Sequence, residues 1–507
     1  MQPLKRKDNV TVSSLMHWYF GDLWLVRLLL QRAFAAIYLI AFIVVLRQFK
    51  PLLGKNGLLP VPAFLERATW RDAPSLFHWR YSDRLLTCVG WIGLVLSAAA
   101  VAGLTDVLPY WAGLIVWLAL WFLYLSIVNV GQKFYGFGWE SMLLEAGFFI
   151  AFLGPARMQA PAIPMLILRW MLFRTELGAG LIKLRHDPCW RELTCLYYHY
   201  ETQPIPNPLS WLFHRQPKVM HRFGVIFSHF VQVIVPFGLL APQPIASIAG
   251  GFTMFHQFLL IVSGNYSWLN WLTFALGFSA LNDSVFRWVL PVFTPALLAP
   301  PLYVDIILYA LAAGTVWLSI KPTANLFSRN QMMNYSYNRY HLVNTYGAFG
   351  SVTRERYEVV IESTDAPFIT EQTQWREYEF KAKPGDLRRM PAQYAPYHLR
   401  LDWMMWFLPF SVTVYTGGLY VPGFELWFLN FIRKLLEDDP ATLRLLSKTP
   451  FSGKQPTFIR ALFYHYRYTD PRQLRETGAW WTRELVGTYL PPISIGDFQR
   501  QWRRPSS

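Results

Sequence analysis

Cysteine is scarce in this 507-residue chain: Cys88, Cys189 and Cys195 are all it has. That rules out a disulfide-rich scaffold, and the C-x5-C spacing of the last two is neither a redox C-x-x-C nor a four-ligand zinc pattern. Charge is also thin, at 15% of residues, and acidic groups (31) are outnumbered by basic ones (47). H-E-x-x-H, Walker A, G-x-S-x-G and kinase signatures are missing, which removes the chemistries they perform. No His/carboxylate set has ligand spacing, so no metal and no cofactor is expected. No basic block is interleaved with stacking aromatics, which argues against nucleic acid. The net charge of +16 is read instead as attraction to anionic lipid headgroups. No short apolar segment with a cleavage site precedes the first long apolar run, and QWRRPSS holds no anchor or retrieval signal. A cleaved signal peptide is therefore not expected.

What the chain does have is apolar surface. Hydrophobic residues make up 53% and aromatics 17%, with 23 Trp, the composition of a protein with many membrane–water interfaces. Stretches near membrane length fall at 33–49, 85–104, 109–130, 139–154, 163–183, 222–241, 244–262, 266–282 and 302–320. A tenth, 285–299, is short and broken by Pro291 and Pro295. The expectation is a polytopic α-helical membrane bundle of nine or ten spans, with membrane lipids as partners. Residues 1–32 read as a cytoplasmic N-terminal segment, 33–320 as the transmembrane domain and 321–507 as a soluble, β-containing C-terminal domain. Beyond position 320 lie 24 of the 47 basic and 17 of the 31 acidic residues. There, Tyr357–Glu362, Trp375–Lys381 and His398–Trp403 read as strands, and 402–414, 424–437 and 455–466 as helices.

Topology signals conflict. Lys5, Arg6, Lys7, Arg27 and Arg32 favour a cytoplasmic N-terminus, yet the loop 50–84 behind the first span is also basic. Counting from a cytoplasmic N-terminus puts the Cys189/Cys195 loop outside, where a disulfide can persist. Nine spans place the C-terminal domain outside, and ten place it in the cytosol. Truncation at Tyr346 is expected to leave the bundle inserted while removing what a client could touch.

Polar groups inside membrane segments are the candidate sites. The segment 128–149 carries Asn129, Gln132, Trp139, Glu140, Ser141 and Glu145, and the next span carries Arg174, Glu176 and Lys183. The charged members can form one ionic network, which either fixes helix packing or serves chemistry. Lys183 can snorkel to the interface or act as a base, its affinity for a proton lowered by desolvation or by a neighbouring Arg174 or Arg185. The loop after it gathers Asp187, Trp190, His199 and Glu201 around the two cysteines. His256, Asn265 and Tyr266 form a further polar group.

Several of these segments resemble the lipase maturation factor family: NVGQKFYGFGWESMLLEAGF (129–148), GAGLIKLRHDPCWRELTCLYYHYETQPIPNPLSW (178–211), SGNYSWLNWLT (263–273), FGSVTRERYEVVIE (349–362), PAQYAPYHLRLDWMMW (391–406) and PFSGKQPTFIRALFYHYRYT (450–469). The resemblance implies a membrane-bound maturation factor, or chaperone, for secreted lipases or similar exported clients. It also implies the endoplasmic reticulum membrane in a eukaryote; in a bacterium the place is the cytoplasmic membrane. The membrane half is more distantly similar to vitamin K-dependent gamma-glutamyl carboxylase, which implies a carboxylase-like transmembrane fold. That similarity sets Lys183 on the catalytic base and suggests, as an alternative, an enzyme acting on a lipid-soluble substrate. Val130 stands where the carboxylase has a histidine, which counts against that chemistry.

Overall fold

Long apolar runs become helices because a helix satisfies its own backbone where no water can. The computed structural model describes residues 12–287, 295–451 and 453–502. The Lys5–Lys7 cluster and residues 288–294 of the proline-broken 285–299 segment lie outside the described residues. The helices that build the membrane half are α1 (Trp24–Leu53), α2 (Asp83–Val101), α3 (Tyr110–Val130), α4 (Gly138–Ile150), α5 (Ala162–Arg185), α6 (Lys218–Leu239), α7 (Ile245–Ser263), α8 (Leu269–Gly277) and α9 (Leu302–Phe327). Among the described residues six of them, α1, α2, α3, α6, α7 and α9, are long and apolar enough to cross a membrane. α5 is long but charged, while α4 and α8 are short.

The first helix begins nine residues before the apolar run at 33, so Arg27 is no flanking charge. It is fully buried and donates to the carbonyls of Met158 (2.7 Å) and Ala156 (2.9 Å). Arg32 is likewise tied to Asp106 at 2.5 Å. Arg27 and Arg32 both hold the bundle together.

The C-terminal half contains β1 (Arg356–Thr364), β2 (Arg376–Glu377), β3 (Thr413–Tyr415), β4 (Gly418–Tyr420), β5 (Phe458–Tyr468) and β6 (Trp481–Ile493). β2-β1-β5-β6 form an antiparallel sheet, with Val360 opposite Leu462, and β3-β4 a separate hairpin. Three sequence expectations are corrected. Residues 455–466, read as a helix, fall mostly in β5, one of the two inner strands. Ala461, Leu462 and Phe463 are buried in succession because β5 is covered on both faces, which hides the strand period; the register shifts with its neighbour place the extra residues on β6. Residues 398–403, read as a strand, enter a helix, α10 (Arg400–Met405), and the helix expected over 402–414 ends there. Trp375–Lys381 keeps only the two-residue β2 as strand. The helix expected over 424–437 is α11 (Leu426–Leu436), whose Phe428 packs edge-on against Tyr489 of β6 at 5.5 Å.

The two halves share one core: a continuous buried apolar cluster runs from Phe20 through Trp268 to Phe463 and Tyr489. Polar joints line the same boundary. Arg400 donates to the Phe134 carbonyl (2.6 Å), Asn430 to Leu58 (2.8 Å), Trp211 to Thr469 (2.8 Å) and Asn265 to Ala392 (2.9 Å). The α1–α2, α3–α4, α5–α6 and α7–α8 connections thus all meet the C-terminal half.

Candidate functional site

The polar residues of α4 and α5 resolve into three separate stations, not one ionic network. Glu140, in the first turn of α4, accepts hydrogen bonds from the Tyr124 hydroxyl and from Arg400 at 2.8 Å. Arg400 lies 3.4 Å over the Tyr135 ring, and beside it Trp139 stacks on Phe137. Burial alone would lower the Arg400 pKa, but Glu140 together with Tyr135 and Tyr124 outweighs it and the guanidinium stays charged. Glu145 pairs with Arg174 and also accepts from the Asn344 backbone (2.8 Å) and the Tyr346 hydroxyl (2.7 Å). All four charged groups are buried. A buried carboxylate persists only when its lone pairs are filled, and here residues 340–400 fill them.

The third station is different. Gly178 and Gly180 let other backbone approach α5 closely, since a Cβ there would meet the Tyr346 carbonyl at 2.3 Å and that of Gln232 at 2.7 Å. Opposite Gly180, α6 widens into a π turn, Phe230–Ile234, which carries Gln232; such turns often mark functional positions. Gln232 bridges the site, its Oε1 accepting from Lys183 Nζ at 2.6 Å and its Nε2 donating to Glu176 at 3.2 Å. Gln257 donates to the other Glu176 oxygen at 2.7 Å. Lys183 lies 5.2 Å from the Trp190 ring centroid and is 5% exposed, so it does not snorkel. Neither arginine proposed as its neighbour faces it: Arg174 is held by Glu145, and Arg185 by Gln331 and the Leu326 carbonyl.

These groups floor a cavity of about 470 Å³, walled by Trp190, Phe223, Phe227, Phe255 and Phe349 and holding His199 and His256. The volume falls within the usual range of small-molecule sites. His199 exchanges a hydrogen bond with the Tyr266 hydroxyl at 2.8 Å, and burial pushes its pKa down to about 4.

The loop beyond Lys183 is pinned at both ends. Cys189 and Cys195 are joined as a disulfide. Asp187 caps the Cys189 amide at 3.0 Å and takes two bonds from Arg354, which hold its carboxyl at about 2. Glu201 accepts the Tyr468 amide at 2.6 Å, fastening the loop to β5, while burial raises its pKa. Asn265 accepts from the Tyr394 and Ala395 amides, both at 2.8 Å, so it is a joint between the halves. Gln132 donates to the Leu59 carbonyl at 3.0 Å. Asn129 bonds His341 at 3.0 Å, and the same imidazole reaches Ser141 at 2.9 Å. Gln232, His341, Asn344 and Arg400 were not singled out from the sequence. Only the PAQYAPYHLRLDWMMW segment, which contains Arg400, gave any signal for one of them.

A family model described as the lipase maturation factor transmembrane domain matches residues 25–288, and its C-terminal domain counterpart matches 342–491. The chain is similar to "Lipase maturation factor 1" of Bos taurus, 39% identical over 96% of this chain and 92% of the relative. The Homo sapiens protein of that name is 37% identical over 97% and 91%. "Lipase maturation factor 2" of Homo sapiens is 27% identical over 93% and 83%. No solved structure matches significantly.

Proposed function

The chain belongs to the lipase maturation factor family, and from that premise we propose that it is a membrane-bound maturation factor assisting the folding and assembly of exported lipases. The observation that carries this is similarity along nearly the whole chain to proteins named for that role. Physical support comes from the joints just described: a rigidly held C-terminal half suits a platform that a client meets at the membrane edge. The enzymatic alternative is not carried further, since Val130 stands at the histidine position and Arg174 and Arg185, the cations expected beside Lys183, are held elsewhere.

The same reading includes nine crossings, with the C-terminal half (321–507) outside the cytosol and the N-terminal segment (1–32) inside. It is supported by the four connections that meet the C-terminal half while the start of α1 bonds Asp283 behind α8 (3.0 Å), at the opposite end of the bundle. The disulfide agrees with that side. The site is then the endoplasmic reticulum membrane of a eukaryote or the cytoplasmic membrane of a bacterium. Isolation of the full-length protein by an affinity tag from cells making a secreted lipase tests the reading. The lipase is expected to co-isolate in its immature form, and its absence under gentle cross-linking argues against the proposal.

A further inference from the structure

The cavity at Lys183 has a floor that is charge-balanced but not hydrogen-bond-balanced. Lys183 and Glu176 contribute one charge of each sign and are linked through Gln232. A further charge brought into this buried place would have no partner and would be costly. The hydrogen-bond inventory is less complete. Lys183 has three N–H donors and gives one to Gln232. Gln257 must present its amide N–H to the Glu176 carboxylate, which turns Oε1 away, and that oxygen is buried without a protein partner. His256 Nδ1 beside it is buried and unpartnered too. Spare donors and a spare acceptor lining one cavity suit a group that both gives and takes a hydrogen bond, which a hydroxyl does and a carboxylate or ammonium does not.

The mouth has the opposite character. Met220, Phe223 and Phe227 of α6 form a stripe at helical spacing, and Phe255 of α7 faces it, 5.9 Å from Phe227 between ring centroids. Met220, Phe223 and Phe255 are 58%, 64% and 54% exposed. Both helices are apolar enough to cross a membrane, so the cavity opens towards lipid tails. Phe227 also touches His256, with 6.0 Å between centroids, so the apolar entrance leads straight to the polar floor.

We propose that this cavity binds a single-chain lipid with a neutral, hydroxyl-bearing head, of the monoacylglycerol class, with the head on Lys183, His256 and Gln257 and the chain leaving between α6 and α7. About 470 Å³ takes the small head and the first part of one chain, the rest of which lies between α6 and α7.

The test uses the full-length protein in phosphatidylcholine nanodiscs and a monoacylglycerol carrying a diazirine in its chain. No lipase is present, so the outcome is independent of the maturation role. After irradiation, labelled peptides are expected to come from the segments 216–228 and 255–260. Unlabelled monooleoylglycerol should abolish that labelling, while oleate, with the same chain and an anionic head, should not. Gly224→Leu, which fills the cavity wall, should lose the label with its melting temperature and elution unchanged. Competition on the unaltered protein decides the matter if that variant fails to fold. Equal or better competition by oleate overturns the head-group assignment. Label spread over the lipid-facing surface of α9 around Trp317, or label that nothing competes away, overturns the site.

Discussion

Glu140 and Glu176 are both buried carboxylates one helix apart, yet their surroundings predict different costs. Glu140 faces a guanidinium directly, so Arg400→Met strands a charge in the core and should cost about 3–5 kcal/mol. Adding Glu140→Gln to Arg400→Met should recover most of that loss. Lys183→Met removes the charge that balances Glu176 but leaves both glutamine donors on its carboxylate, so it should cost less than Arg400→Met, about 3 kcal/mol or below. Thermal denaturation of the detergent-solubilised variants checks the order, and a Lys183→Met protein less stable than Arg400→Met would contradict it. At this scale the sequence revealed which charges are expensive and concealed what neutralises them. Arg400 is 260 positions from Glu140, and His341 is 212 from Asn129. No local pattern encodes a pairing over such distances.

Among the elements, the loop after α5 is where stability should respond to redox state and pH. Its disulfide closes a short ring, so Cys189→Ala with Cys195→Ala should cost roughly 2 kcal/mol on a chain-entropy estimate. A matching loss on adding reductant to the unaltered protein checks this. His199 titrates at about 4 when folded against 6.5 when unfolded, so the unfolded chain binds the proton first. Its contribution is complete above about pH 6.5 and is lost as pH falls towards 4. Asp187 has the depressed-carboxylate form: its contribution is present above its unfolded value of 3.8 and is lost as pH falls towards about 2. A melting series from pH 7 to 4 should therefore show a decline that His199→Gln reduces. The helices of the membrane half were legible because hydropathy is a local signal, and their positions follow the apolar runs closely. The strand β5 was not, because it is buried on both faces over Ala461–Phe463 and so lacks the inside–outside alternation from which a strand is recognised.

For the molecule as a whole, the shared core and the buried joints revise the expected effect of truncation. Ending the chain before Tyr346 removes the Tyr346 bond to Glu145 and the Arg400 partner of Glu140, and it uncovers Gln48, which donates to the His398 carbonyl at 2.7 Å. The truncated bundle, expected from the sequence to remain inserted, should therefore fail to accumulate as a monodisperse species on size exclusion. A well-behaved bundle would show that the halves fold independently. Composition marks the change of character near position 320, but it cannot show that the two regions complete one another's hydrogen bonds.

The central claim, that this chain matures exported lipases, is tested most directly by complementation. The full-length protein is expressed in cells lacking their own lipase maturation factor and making a secreted lipase, and activity per unit of secreted lipase protein is measured. The account predicts that specific activity is restored by the unaltered chain and not by Arg400→Met. Secreted lipase that remains inactive with the stably expressed, unaltered chain would contradict it.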